Sequence, residues 1–300
     1  MKHAILIIAH KNFKHLLDLI YYFHDGPFFI YIHIDKKSSF SKEQIRILSE
    51  EKNVVFVIRK YRVNWGGFNI LRVALLLLDK ATKDNQADYF HLISGMDFPV
   101  KNVKSFLSFF EEHKGKEFLG YHTLPAQNWE NGTLIRFEYY YPYDLFDDKT
   151  KKGHIQCSRI IDWQKKHKIK RSLQSYWGVL YGGSGWFSLS KLCIAFILKY
   201  SKKKSAFYRR LKYTFAPEET YFPSIVLNSP FAKNTINDNL RYIDWNYRNG
   251  NIPANLDEKD YTTLMKSTAF FARKFEYPVS QQLVYLLKKQ FSLEQSEEEV

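Results

Sequence analysis

Cysteine is nearly absent from this chain: Cys157 and Cys193 are the only two among 300 residues, and their spacing fits neither a metal site nor a redox pair. That excludes a disulfide-stapled secreted domain and a structural zinc site. Long apolar runs are missing too, and no stretch approaches the ~20 residues that a membrane span requires. The N-terminal run MKHAILIIAHKNF meets His10 and Lys11 too early for a signal peptide. These absences predict a reducing, cytoplasmic setting, in which the Asn131-Gly-Thr sequon is a coincidence. Acids are in deficit, 31 against 45 Lys and Arg, for a formal charge of +14. Such a field favours phosphate-bearing partners, whether nucleotides, nucleic acids or an anionic membrane face. The local basic clusters, Lys165–Lys170 and Lys202–Arg210, are flanked by aromatic and apolar residues, unlike a nucleic-acid-binding tail, and a solvated basic face accounts for them equally well. Low-complexity linkers and internal repeats are also absent, which predicts a single domain over residues 1–300.

Aromatic residues, by contrast, are abundant: 25 Phe, 21 Tyr and 6 Trp make up 17% of the chain. Rings with polar edges suit flat or amphipathic ligands such as sugars and bases, although a Phe-rich core explains the surplus as readily. The first third alternates apolar runs with helical patterns. Ala4–Ala9, Phe28–Ile34, Val54–Ile58 and Tyr89–Ile93 read as buried strands, with helices over Phe13–Phe23 and Ile70–Thr82. Continuous apolar strands separated by helices indicate an α/β fold with a parallel sheet covered on both faces. Ligands of such sheets sit outside the carboxyl ends of the strands, here His10, Asp35 and Ser94–Asp97. Residues 1–125 thus form a Rossmann-like nucleotide-binding half. Residues 126–290 read as a second, less regular half, the part left to hold an acceptor and catalytic groups if the chain is an enzyme. It contains an extended aromatic run at Phe137–Tyr143, a helix over Ser158–Lys168 and a tight glycine turn at Gly182–Gly185 before a strand at Trp186–Leu189. A helix over Glu218–Leu227 follows, with Pro223 awkward inside it, then extended runs at Leu240–Trp245 and Ala269–Phe275 and a helix over Val279–Lys289. Residues 291–300 read as a frayed acidic tail.

Enzymes that handle nucleotide-sugars often hold the diphosphate through a divalent cation on an Asp-x-Asp pair, and no such pair occurs here. The nearest approximations are His33-Ile34-Asp35, whose outer members share one strand face, and Asp144 with Asp147 and Asp148. Asp35 suits a nucleoside contact better than a metal. Without a metal, fixed cations must meet the diphosphate charge. Arg273 and Lys274, framed by Phe residues, are candidates, although such a pair also fits a solvated strand edge. Glu218 and Glu219 open a helix after Pro217. They fit either partners of the helix dipole or a general base with a companion that binds acceptor hydroxyls.

Eight fragments in order then carry a resemblance: AILIIAHKN (4–12), YIHIDKKS (31–38), NWGGFNIL (64–71), DYFHLISGMDFPV (88–100), GGSGWFSLS (182–190), APEETYFPSIVLNSPF (216–231), NLRYIDW (239–245) and FFARKFE (270–276). Together the chain resembles glycosyltransferase family 14, the core-2/I-branching β-1,6-N-acetylglucosaminyltransferases and peptide O-xylosyltransferases. The resemblance implies a GT-A-like fold with a mixed central sheet and no metal cofactor. It also implies an inverting displacement from a UDP-sugar to a hydroxyl of a glycan or lipid-linked glycan. Its base falls on Glu219, with Glu218 standing where Asp is usual and contributing to the acceptor side. Its diphosphate cation falls on Lys274, with Arg273 alongside. Arg241 matches a recurrent Arg, and Asp35 the acid that contacts the nucleoside. Trp65 and Asp97 line the donor side with His10, and Ser184, Gly185 and Trp186 lie between donor and acceptor. Eukaryotic members are anchored, lumenal and cysteine-rich, so the comparison points to a bacterial member in surface-polysaccharide assembly. GlcNAc is the donor sugar expected first, and xylose is the alternative. A peripheral contact with an anionic inner membrane face would give the basic surface a purpose; a nucleic-acid partner is not expected. The reading from another class is a basic module for RNA or another polyanion on a degenerate transferase fold, and a metal-dependent transferase of a different family is a third.

Overall fold

The computed structural model describes residues 1–126, 134–172, 178–202 and 205–298, so the Asn131 sequon and Lys203 and Lys204 of one basic cluster lie outside it. Ten strands occur among the described residues: β1 His3–Ala9, β2 Phe28–Ile34, β3 Val54–Ile58, β4 Tyr89–Ser94, β5 Asp97–Pro99, β6 Glu117–Thr123, β7 Tyr181–Ser190, β8 Thr235–Ile236, β9 Arg241–Ile243 and β10 Phe271–Arg273. The helices are α1 Phe13–Tyr22, α2 Lys42–Glu50, α3 Asn69–Asp84, α4 Val103–Glu112, α5 Ile135–Glu138, α6 Lys151–Lys166, α7 Lys191–Lys202, α8 Ala206–Leu211, α9 Glu218–Leu227, α10 Tyr261–Lys266 and α11 Gln281–Glu298.

The main sheet runs β3-β2-β1-β4-β7-β6-β8. Its first four strands are parallel, as their unbroken apolar runs require, and β7 then pairs antiparallel with both β4 and β6. The sheet is therefore mixed, as a GT-A-like fold demands. Every residue of β1 is buried, and alternation divides them between two cores. Ile5, Ile7 and Ala9 pack with Leu16, Leu19 and Phe106, while Ala4, Leu6 and Ile8 pack with Leu71, Leu78 and Ile225. Strand order reverses between β1 and β4, which leaves a crevice at their carboxyl ends. A second sheet, β5-β10-β9, stands beside that crevice.

Several elements differ from the sequence reading. Phe137 lies in the short helix α5, and Tyr139–Tyr143 is irregular chain rather than strand. The Gly182–Gly185 run lies inside β7 and is not a turn, because glycine allows the backbones of β6 and β7 to touch at Gly183 and Gly120. Pro223 stays within α9, whose eight buried residues are held by packing on β7 and neighbouring elements. Helix α11 continues to Glu298, so the acidic segment is helical where a frayed tail was expected. Glu294 accepts a hydrogen bond from Asn102 Nδ2 at 2.5 Å, which ties that segment to the start of α4.

Candidate functional site

Two features mark a candidate site: an acid pair at the head of α9, of which Glu218 is buried, and the adjacent cations Arg273 and Lys274 at the end of β10. Strand pairing explains the second. Arg273 lies opposite Asp97 in the antiparallel pair of β10 and β5. Its Nε stands 3.4 Å from Asp97 Oδ1, at ion-pair distance but without hydrogen-bond geometry. Asp97 is fully buried, and its other oxygen accepts the Ser94 N–H at 3.0 Å. Burial raises the pKa of this carboxyl, and Arg273 opposes the shift. The Arg273 guanidinium also lies over the Trp186 ring, 4.6 Å from its centroid. Lys274 follows, half-buried. Burial lowers its pKa to about 8, and Arg273, Lys149 and Lys11 push in the same direction. Asp97 is the opposing charge; Lys11 is itself ion-paired with Glu276, and Lys149 lies over Trp65.

The acids lie across Trp186. Between Leu119 and Tyr121 of β6, strand β7 carries two extra residues, a bulge that contains Ser184, Gly185 and Trp186. The Ser184 hydroxyl accepts the Trp186 N–H at 3.0 Å. A Cβ on Gly185 would sit 2.6 Å from Glu218 Cγ, so only glycine lets this carboxyl lie against the strand. Glu218 is 9% exposed, and its Oε2 has no hydrogen-bond partner among the described residues. Burial, then the charge of Glu219, raises its pKa to about 8. Glu219 is one-third exposed, and its Oε2 receives Arg136 Nη1 at 3.1 Å. Arg136, from α5, is 1% exposed and lies over the Phe215 ring. Burial lowers its pKa, while Glu219 raises it. The two acids thus differ in surroundings: burial favours the protonated form of Glu218, whereas Glu219 is ion-paired with a buried guanidinium. A small space of about 10 Å³ between Ile8, Leu92 and Trp186 lies against Glu218.

Among the other predicted residues, His10 is exposed at the end of β1. Desolvation lowers its pKa, followed by the charge of Lys11. Asp35 is buried at the end of β2, where Oδ1 accepts the N–H groups of Lys37 at 2.8 Å and Val63 at 3.3 Å. Trp65 is exposed beneath Lys149 Nζ, 4.2 Å from its ring centroid. Arg241 has its guanidinium engaged within the fold. It donates to the carbonyls of Leu92, Phe187 and Asn239 and to the Ser188 hydroxyl, and lies over the Phe271 ring. Burial lowers its pKa to about 9. Its contacts tie β4, β7 and β9 together and leave it away from the open face.

The metal alternatives disperse. His33 Nε2 accepts the Tyr61 N–H at 3.1 Å, and burial lowers its pKa to about 4. Asp144 Oδ1 accepts the Asn69 N–H at the head of α3, Asp147 pairs with Lys37, and Asp148 with His154. Among the described residues no three His, Cys, Asp or Glu side chains are grouped to hold an ion. A larger cavity, about 520 Å³, lies elsewhere between Lys101, Asn102, Tyr261 and Glu294, and contains none of these site residues.

Arg136 and Lys149 escaped the sequence reading. Arg136 sits in an aromatic run that resembles a strand, and Lys149 follows two acids that looked like ligands. Neither carries a local signal, because the partners are 83 residues away for Arg136 and in another loop for Lys149.

A family model, Core-2/I-Branching enzyme, matches residues 4–266. Xylosyltransferase 2 of Canis lupus familiaris is 26% identical over 95% of this chain and 33% of its own length. Xylosyltransferase 2 of Homo sapiens is 25% identical over the same shares. Xylosyltransferase 1 of Rattus norvegicus is 24% identical over 94% of the chain and 34% of its length. The chain thus spans about a third of the length of the curated relatives it matches. The crystal structure of S. aureus TarS overlaps 44% of this chain and 23% of that one at 17% identity, with a TM-score of 0.31. The match over residues 4–266 identifies the chain as a member of the core-2/I-branching enzyme family, glycosyltransferase family 14.

Proposed function

We propose that this protein transfers a sugar from a UDP-sugar to a hydroxyl of a glycan acceptor, with inversion and without a bound metal. The observation that supports the reading is the placement of Arg273 and Lys274 at the end of β10, with Arg273 over Trp186, across from an acid pair in which Glu218 is buried and Glu219 is ion-paired with Arg136. In the proposed reaction the diphosphate lies against Lys274 and Arg273. Glu219 takes the acceptor proton as the acceptor oxygen attacks the anomeric carbon, and the bond from that carbon to the diphosphate oxygen breaks on the opposite side. Negative charge grows on the departing UDP, and fixed cations meet it without reorganisation. Glu218, protonated at neutral pH, donates a hydrogen bond to an acceptor hydroxyl.

Lys274→Ala is expected to weaken UDP binding in calorimetry and to slow transfer by ~2–4 kcal/mol in barrier. Unchanged UDP affinity would overturn the assignment. The donor sugar is proposed as GlcNAc from the branching-enzyme side of the family. Xylose has a specific observation in its favour, since the relatives above are named xylosyltransferases. Hydrolysis and transfer rates with UDP-GlcNAc and UDP-xylose separate the two. The acceptor is proposed as a growing bacterial surface polysaccharide, lipid-linked at the inner face of the cytoplasmic membrane. A polyanion-binding role on the same fold predicts thermal stabilisation by oligonucleotides and none by UDP, the reverse of the result expected here.

A further inference from the structure

Helix α6 shows different chemistry on its two faces. Its buried residues are Gly153, Cys157 and Gln164. Gly153 backs onto the Asp147 main chain, the Cys157 thiol faces the Phe146 carbonyl, and Gln164 exchanges hydrogen bonds with the Tyr140 backbone at 2.8 and 2.9 Å. The helix is thereby fixed to the segment 139–149, which also holds Asp144 at the head of α3 and Lys149 over Trp65. Helix α6 is therefore tied to the segment that carries Asp144 and Lys149 to the donor end of the crevice.

The outer face carries Lys152, Ile155, Arg159, Trp163 and Lys166. Their spacing of three and four residues places them in one stripe along the helix. All five are exposed, Ile155 by 41% and Trp163 by 55%. Leu145, 69% exposed, projects from the segment beneath. Over its 16 residues the helix has five Lys and Arg and a single acid, Asp162. Among the described residues no carboxylate is paired with Lys152, Arg159 or Lys166. Alternating cations with Ile and Trp has no advantage on a face that meets only water. At an anionic bilayer both kinds of residue are satisfied: the apolar side chains enter the headgroup–acyl boundary, and the long cations reach phosphates on flexible stems. A single-stranded nucleic acid would instead require stacking rings in a groove. Trp163 stands on a convex helix, and Ile155 offers no π-face.

We propose that the stripe from Lys152 to Lys166 docks the protein on an anionic membrane surface and so holds the mouth of the crevice beside acceptors carried in lipid. This gives the membrane-side reading above a defined surface. It is tested apart from the donor chemistry, because vesicle binding and UDP binding are separate measurements and either can fail alone. The experiment is co-sedimentation with phosphatidylglycerol–phosphatidylcholine vesicles and with phosphatidylcholine alone. Wild-type protein is expected to bind only the anionic vesicles, more weakly as salt rises. K152A/R159A/K166A is expected to lower the partition coefficient on the order of a hundredfold, from roughly fivefold per cation at the surface. UDP affinity and the thermal midpoint should be retained. Should that variant misfold, W163S alone and quenching of Trp163 by brominated lipid test the same surface. Absence of wild-type binding to anionic vesicles would overturn the proposal, as would full binding by the variants. Preference of this stripe for RNA over the vesicles would overturn it in favour of a polyanion partner.

Discussion

Glu218 and Glu219 are adjacent and chemically alike, yet the fold gives them different surroundings. Glu219 meets Arg136 and partial solvent, whereas Glu218 lies against Gly185 with an oxygen left without a partner among the described residues. Glu219→Gln keeps the shape and removes the basicity, so transfer should fall by ~10²–10⁴-fold while UDP affinity in calorimetry persists. The same change leaves the buried Arg136 facing a neutral amide, and a stability loss of ~1–3 kcal/mol is expected in urea titration. Near-normal turnover by Glu219→Gln alongside an inactive Glu218→Gln would move the base one residue back. Glu218 also has a pH signature. Its pKa is raised in the folded state from 4.5 to about 8. Between those values the unfolded chain has released a proton that the native state still holds, so this group lowers stability as pH rises through the window. Glu218→Gln should flatten the fall in thermal midpoint from pH 5 to 8 and leave the variant relatively more stable at the alkaline end. An unchanged slope would show that Glu218 is ionised in the native protein.

At the scale of elements, the site depends on how β7 is bent. The bulge at Ser184–Trp186 places Trp186 under Arg273 and opens a berth for Glu218, and two glycines make this possible for different reasons. A Cβ on Gly183 would strike the Gly120 main chain, which cannot yield without separating β6 from β7. Gly183→Ala should therefore lower stability by ~1–3 kcal/mol or more, read as a drop in melting temperature with the protein poorly folded. A Cβ on Gly185 would meet only the side chain of Glu218. Gly185→Ala should melt closer to wild type and lose activity, because the carboxyl is displaced and the fold is not. Equal effects of the two changes on stability would contradict this account. The aromatic run at 137–143 illustrates the same scale from the opposite side. Periodicity suggested a strand, but Arg136 and Phe137 are buried in a helical turn, and Gln164 satisfies the backbone of Tyr140 in place of a neighbouring strand.

At the scale of the whole molecule, charge is distributed unevenly. The net charge is +14, and two of its cations, Arg273 and Lys274, are adjacent at the end of β10. If these cations carry the diphosphate, turnover should survive EDTA and gain little from added Mn²⁺. Activity that collapses in chelator and returns with Mn²⁺ would promote His33 and Asp35, whose backbone hydrogen bonds would then have to break. No helix among the described residues is long and apolar enough to cross a membrane.

Much of this was legible before any coordinates. The parallel half follows from unbroken apolar runs, because a strand buried on both faces cannot alternate. Strand ends at His10, Asp35 and Ser94–Asp97 followed from the same runs, as did a helix beginning at Glu218. The sequence also singled out Arg273, Lys274, Glu218 and Glu219 as candidates. Tertiary structure alone decided how they are paired. Arg273 meets Asp97 because two short strands of distant segments align in register. Arg241 is committed to three carbonyls, a hydroxyl and a ring, although its sequence context resembles that of a ligand contact. Arg136 reaches Glu219 across 83 residues, and burial rather than residue type raises the pKa of Glu218. Local pattern records which way a residue must face. Desolvation and charge pairing depend on what the rest of the chain brings against it, and that exists only once the chain has folded.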